Sequence, residues 1–402
     1  MLKGKNVVIG VTGSIAAYKM ANFVSLLRKQ HCNVDVIMTQ NATNFINPIT
    51  FETLTEHKCI VDTFDRNFQY NVEHISLAKK ADVFLVAPAS ANVIGKFASG
   101  IADDMLTTTF MACPNKKIIA PAMNTNMYLN PIVQDNLAKL QKFGIEVITP
   151  ASGLLACGDV GLGKMPSDDV LMSYIKKAIA HTKDMEGMKV CVTAGPTREA
   201  IDPVRFISNH STGKMGYAIA ENAMLRGAEV TLISGPVNLA PVPFVNMVSV
   251  TSAKDMYEAV MEYAPQSDIL VKAAAVADYR PAQISDEKIK KQAGEMSIAL
   301  ERTDDIIGTV GKMQTNRPFL CGFSMETQNM LENSKKKLEK KNLDMIIANN
   351  LKVSGAGFGG ETNIVTMITK NEVTELEQMS KYEVAEHIFD KILEMRESNA
   401  QK

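Results

Sequence analysis

NVVIGVTGSIAAYK (residues 6–19) reads as a buried strand, a glycine turn and the start of a helix. KVCVTAGPTR (residues 189–198) opens in the same way, and STGKMGYAIAENAMLRGAEVTLIS (residues 211–234) completes a helix and a second strand. A strand that ends in a glycine turn leaves free backbone N–H groups at a helix start, where phosphate binds. Two such openings predict an α/β chain with two doubly wound domains, mainly parallel sheets, two ligand sites and hence two reactions.

The 402 residues exceed one ordinary core, which again points to two domains. With 46% apolar and 22% charged residues the composition is that of a soluble globular protein. A net charge of −1 argues against a general nucleic-acid binder, so no nucleic-acid partner is expected. No apolar run approaches about 18 residues, so no membrane span is expected either. The stretch at residues 7–11 runs straight into a glycine turn and reads as a strand rather than a signal peptide. Cysteines 32, 59, 113, 157, 191 and 321 form no CxxC pair. Reduced thiols in a cytoplasmic enzyme are the simplest reading.

In the first half, apolar strands are expected at residues 7–11, 34–39, 83–87, 117–120 and 146–149, with a helix at 15–30 and another at 168–180. HTKDMEG (residues 181–187) reads as a linker, which sets the domains at residues 1–182 and 188–402. The second half repeats the rhythm, with strands at 190–193, 229–234, 269–275, 319–323 and 345–348. A hairpin is expected around residues 370 and 371, and a closing helix at 382–395. Functional loops should follow the strand C-termini, at residues 12–14, 39–41, 88–92 and 121–127.

A dinucleotide fold ends its second strand with an acid that holds the ribose. Here that strand ends Met38-Thr39-Gln40 in the first half and Ser234-Gly235-Pro236 in the second. Nicotinamide cofactors are therefore disfavoured. A mononucleotide fits better, its phosphate taking donors from Gly13, Ser14, Thr39 and Ser90. ACGDVGLGKM (residues 156–165) combines a thiol, Cys157, with clustered glycines. It reads either as a mobile flap or as a surface loop with an incidental cysteine. His74 starts a helical pattern and Asn124 follows a strand, positions that suit capping and turns as well as chemistry.

In the second half AGPTREAIDPVRFISNHSTGKMG (residues 194–216) is dense in phosphate donors, but it lacks the Walker order. KAAAVADYRP (residues 272–281) ends an apolar run with Asp278, and EKIKKQ (residues 287–292) brings Lys288. TDDI (residues 303–306) pairs Asp304 with Asp305, suited to a hydrated Mg²⁺ beside a triphosphate. Lys337 and Lys341 share one helix face.

GVTGSIAAYK, VEHISLAKKAD, APASANVIGK, PAMNTNMY and ACGDVGLGKM together resemble the flavin-dependent cysteine decarboxylases. With its second half, the whole chain is similar to the bifunctional phosphopantothenoylcysteine decarboxylase/phosphopantothenate–cysteine ligase family of coenzyme A biosynthesis. The resemblance implies a flavoprotein first domain, flavodoxin-like or Rossmann-like, and a Rossmann-like ligase domain. It implies that Cys157 is the proton donor of an FMN-dependent decarboxylation and His74 the base. Asn124 grips the substrate carboxylate with help from Met127. Gly13, Ser14, Thr39, Ser90 and Asn92 contact FMN, and Gly161 and Gly163 give the flap its motion.

For the ligase the resemblance implies CTP as co-substrate and an acyl-cytidylate formed from 4′-phosphopantothenate, which cysteine then attacks. Asn209 binds that intermediate, with Arg205 close by. Ala273, Ala274, Ala275 and Phe323 border the cytidine. Asp278, Lys288, Asp304, Asp305, Ile306, Lys337 and Lys341 hold the nucleotide, and Asp305 its metal. Asp304 stands where the family often has proline, and Thr212 where it often has serine. The family builds homo-oligomers from trimers of the first domain and dimers of the second. Relatives of the flavoprotein half also act as regulatory subunits or as peptide-cysteine decarboxylases. The set His74, Asn124 and Cys157 speaks against the first role, and an intact second half against the second.

Overall fold

The computed structural model describes residues 1–64, 72–290, 296–326, 329–350 and 359–400. The chain divides into two compact units, Met1–His181 and Thr182–Lys402.

The first unit runs β1 (Asn6–Val11), α1 (Lys19–Lys29), β2 (Asn33–Met38), α2 (Pro48–Thr55), α3 (Glu73–Lys80), β3 (Val83–Ala89), α4 (Ala91–Ser99), α5 (Met105–Ala112), β4 (Lys116–Pro121), α6 (Thr125–Tyr128), α7 (Pro131–Lys142), β5 (Glu146–Val147), β6 (Ala151–Leu154), β7 (Val160–Lys164) and α8 (Asp168–Ile179). Five strands form a parallel sheet in the order β2-β1-β3-β4-β5. Its central strands are almost wholly buried because helices cover both faces. On one face Val8, Ile37, Phe84, Val86 and Ile119 pack against α3, α4, α5 and α7. On the other, α1 lies against β2 and α8 against β3 and β4, burying Phe23, Leu27, Leu171 and Ile175. The strand order reverses at β1, so the crossovers leaving the carboxyl ends of β1 and β3 diverge and open a crevice there.

The second unit runs β8 (Lys189–Ala194), β9 (Glu199–Ala200), β10 (Phe206–Ile207), α9 (Lys214–Leu225), β11 (Glu229–Ser234), β12 (Asn246–Ser249), α10 (Ala253–Tyr263), β13 (Ile269–Lys272), β14 (Tyr279–Pro281), β15 (Leu300–Arg302), α11 (Ile306–Gly311), β16 (Phe319–Glu326), α12 (Met330–Lys340), β17 (Met345–Asn350), β18 (Thr362–Asn363), β19 (Val365–Thr369), β20 (Val373–Glu375), β21 (Met379–Ser380) and α13 (Lys381–Ala400). Its main sheet has the order β12-β11-β8-β13-β16-β17-β19-β20. The sheet is parallel through β17 and antiparallel beyond it. Cys191, Leu270, Leu320 and Ile346 meet α10, α11 and α12 on one face, while α9 packs on β8 and β11 and α13 packs on α9.

Three expectations need correction. The helix at 15–30 begins as a 3-10 turn over Ile15–Tyr18, capped by Ser14, before α1 starts. The strand at 146–149 is only Glu146–Val147. The strand at 269–275 stops at Lys272: the Ala273 N–H still donates to the Thr193 carbonyl of β8, but the Ala274 N–H is taken by the Thr193 hydroxyl, and pairing beyond it is an isolated parallel bridge between Pro196 and Ala275.

Each of β1 and β8, the two strands that open the units, is entered through a left-handed glycine turn. Gly4 has φ 77° and Gly187 φ 81°, and no atom lies within 4 Å of where a side chain would begin. Among the described residues no helix is long and apolar enough to cross a membrane.

Candidate active sites

In the first unit the Thr12 hydroxyl donates to the Pro88 carbonyl at 2.7 Å and accepts from the Ser90 N–H at 2.9 Å, which ties the ends of β1 and β3 together. The two helix starts that follow, capped by Ser14 and Ser90, therefore face one cavity. That cavity is about 590 Å³, with Ile15, Met123, Met127 and Leu154 as apolar wall and Asn124 and Cys157 at its side. Gly13, Ser14, Ser90, Asn124, Met127, Cys157 and Gly163 line it; His74, Thr39, Asn92 and Gly161 do not. Thr39 instead caps the turn over Gln40–Asn44, and His74 lies half-buried in the first turn of α3.

The segment expected as a mobile flap is half of an antiparallel hairpin, β6–β7, with Cys157 at its tip. The Leu155 N–H donates to the Asp159 carbonyl and the Gly158 N–H to the Leu155 carbonyl, which closes the tip. Gly161 and Gly163 allow a close approach to the neighbouring loop. A Cβ on Gly163 would lie 2.2 Å from the Met123 carbonyl oxygen, and one on Gly161 2.6 Å from the Thr125 hydroxyl. The Met123 N–H donates to the Gly163 carbonyl at 3.0 Å, which clamps the hairpin on the loop carrying Asn124.

The clamp brings three polar side chains together. The Asn124 amide donates to Cys157 Sγ at 3.3 Å and to Asp159 Oδ2 at 3.1 Å, and the Cys157 thiol donates to the same oxygen at 3.3 Å. Asn124 Oδ1 caps α6 by accepting from the Asn126 N–H at 2.8 Å, which fixes the amide's orientation. Asp159 escaped the sequence reading because Gly-Asp in a glycine-rich run reads as turn chemistry. Its place two residues after the thiol was the available signal.

In the second unit Gly213 starts α9 at φ 79°, and a Cβ on Gly216 would lie 2.5 Å from Ala194 Cβ, so the helix start sits directly on the end of β8. Asn209 joins this turn to the end of β13, its amide donating to the Ala275 carbonyl at 2.6 Å and its Oδ1 accepting from the Ser211 N–H at 3.0 Å. A cavity of about 280 Å³ lies there, lined by residues 211–216 with Lys272, Ala273, Ala274, Ala275, Asp278 and Phe323. A second cavity of about 320 Å³ is lined by Lys272, Asp278, Asp304, Asp305, Ile306 and Lys341. Lys341 donates to Asp305 Oδ1 at 3.0 Å. Burial alone would raise the Asp305 carboxyl, but Lys341 and the Gly308 N–H outweigh it and hold it below the usual range.

The structure does not bring every expected residue to these cavities. The Arg205 guanidinium is taken up by Asp202 and by the Ile289 carbonyl, and Arg205 holds the Asp202 carboxyl well below the carboxylate range. Lys288 is exposed and lines neither cavity, nor does Lys337, although Lys337 lies close enough to Lys272 to influence its charge. Residues 291 and 292 of the EKIKKQ segment lie outside the described residues. Among the described residues no three His, Cys, Asp or Glu side chains converge as a metal site. Asp305, expected as a metal ligand, is one carboxylate already paired with Lys341. This donor set does not make a resident metal site.

Residues 1–180 match the family described as Flavoprotein, and residues 185–395 match the DNA/pantothenate metabolism flavoprotein C-terminal domain. The coenzyme A biosynthesis bifunctional protein CoaBC of Haemophilus influenzae is 44% identical over 393 residues, 98% of either chain. That of Bacillus subtilis is 46% identical over 406 residues, covering 100% of both. The chain belongs to this family of bifunctional proteins. It is an enzyme of coenzyme A biosynthesis, a decarboxylase and a ligase in one polypeptide. A solved C-terminal domain of a coenzyme A biosynthesis bifunctional protein CoaBC is 46% identical, covering 54% of this chain and 100% of its own, with TM-score 0.47.

Proposed function

We propose that the second unit joins 4′-phosphopantothenate to cysteine with CTP, and that the first unit decarboxylates the resulting 4′-phosphopantothenoylcysteine to 4′-phosphopantetheine with FMN. The observation that carries the decarboxylase half is the contact of Cys157 with Asn124 and Asp159 beside a cavity at the strand C-termini. The residues present fit the cofactor. Two capped helix starts at Ser14 and Ser90 offer phosphate donors, and the apolar wall suits a planar ring. Bound FMN supplies a temporary two-electron sink for the cysteine sulfur, without which loss of CO₂ would leave an unstabilised carbanion.

The chain's own residues then divide the remaining work. The Cys157 thiol holds a proton for delivery to the substrate carbon, and the Asp159 carboxylate keeps that S–H oriented. Asn124, its amide oxygen fixed by its cap to α6, offers the substrate carboxylate the N–H groups that Cys157 and Asp159 otherwise accept. His74 lies outside the cavity of its own unit, so its role as base requires a second copy of the chain. That need supports the homo-oligomer expected from the family.

In the second unit the helix start at residues 211–216 holds an anionic group, and Asn209 fixes that turn against Ala275. A carboxylate oxygen of 4′-phosphopantothenate attacks the α-phosphorus of CTP and pyrophosphate leaves; the cysteine amine then displaces CMP. Phe323 and the three alanines border the nucleotide, and Asp278, Asp305 and Lys341 face it from the second cavity.

The test of the decarboxylase half is Cys157→Ser. The variant is expected to keep the flavin absorbance of the wild type and to form no 4′-phosphopantetheine. Full product formation would refute the assigned role.

A further inference from the structure

Lys272 is the last residue of β13. It lines both cavities of the second unit, and it is the one cation among the described residues that does so. It is half-buried, and among the described residues its ammonium makes no hydrogen bond and no ion pair. The neighbouring cations are engaged elsewhere. Lys341 is paired with Asp305, and Lys214 with Glu361. The Asp278 and Asp305 carboxylates attract it only from beyond ion-pair distance, and Lys341 and Lys337 repel it. A part-buried ammonium with no hydrogen bond is costly, and a bound anion that accepts one relieves the cost.

We propose that Lys272 touches both substrates of the ligase reaction, holding the nucleotide α-phosphate and the attacking carboxylate against each other. The proposal rests on the ligase reading above and adds a residue to it. In that step a carboxylate oxygen forms a bond to the α-phosphorus, the α–β phosphoanhydride bond breaks, and pyrophosphate leaves with the electron pair. Two anions have to reach bonding distance, and a cation that lines both cavities offsets the repulsion between them.

Full-length wild type, Lys272→Gln and Lys272→Met are compared in pyrophosphate release with CTP and 4′-phosphopantothenate, with circular dichroism to verify the fold. Both variants are expected to lose about 10- to 100-fold in kcat/KM for both substrates, the scale of one hydrogen bond to a charged group. Activity of either variant within about twofold of wild type, with unchanged KM, overturns the proposal. Met keeps the aliphatic stem, so recovery by Met of what Gln loses also overturns it, because packing rather than charge is then the contribution. Where Gln fails to fold, the Met variant carries the test. A wild-type chain that releases no pyrophosphate overturns the ligase reading itself, and that result is visible before any variant is compared.

Discussion

Five of the six cysteines are buried and Cys157 is exposed. Burial pushes the Cys32 thiol up to about 11 and those of Cys59 and Cys191 up to about 12, and it raises Cys113 and Cys321 in the same direction. The thiolate is the reactive form, so these groups stay protonated at pH 8 and ionise only as pH climbs toward the raised values. Iodoacetamide at pH 8 is therefore expected to label the native protein once, at Cys157, and the other five thiols only after denaturation. Peptide mass spectrometry reads the sites, and early labelling of Cys191 or Cys321 would contradict their burial. At this scale the sequence was partly legible. The glycine-rich, polar surroundings of Cys157 set it apart from the others, and PAMN placed Asn124 after a strand. Asp159 and Lys272 were not legible, because an Asp after Gly and a Lys before three alanines have ordinary roles in turns and strand ends.

The β6–β7 hairpin shows what individual elements demand of their residues. Gly163 has φ 128° and almost no room for a Cβ against Met123, whereas Gly158 has φ 89° and open space around it. Gly163→Ala is expected to destabilise the first unit by about 1–3 kcal/mol and to weaken flavin retention, with Gly158→Ala the milder change. Denaturant midpoints and the flavin absorbance of the two variants check this, and equal behaviour would count against the clamp. The hairpin was read as a flap because strands of glycine and short polar residues lack alternating hydrophobics. A different miss occurred at residues 273–275, where an apolar run looked like continuous strand although the Ala274 N–H turns to the Thr193 hydroxyl and the pairing beyond it is an isolated bridge between Pro196 and Ala275. The buried strands β1, β3, β8 and β11 were legible because parallel strands covered on both faces are continuous apolar runs.

Across the whole chain the two units carry separate cores and separate cavities. Asn209→Asp removes the donor to the Ala275 carbonyl and sets a carboxylate against it. Ligation is expected to fall by about 30-fold or more, with decarboxylation of supplied 4′-phosphopantothenoylcysteine kept. Equal loss of both activities in parallel assays would show that the sites are not separable. The duplicated strand–turn–helix opening made this division legible in the sequence. Which residues complete each cavity depends on loops that meet only in the folded chain, and spacing along the sequence does not encode that. The glycine turns at Gly4 and Gly187 each sit at the end of β1 or β8 remote from the cavities of their own unit. Fluorophores, affinity handles or surface tethers attached beside them leave the substrate-facing rims clear, so turnover can be followed on immobilised protein.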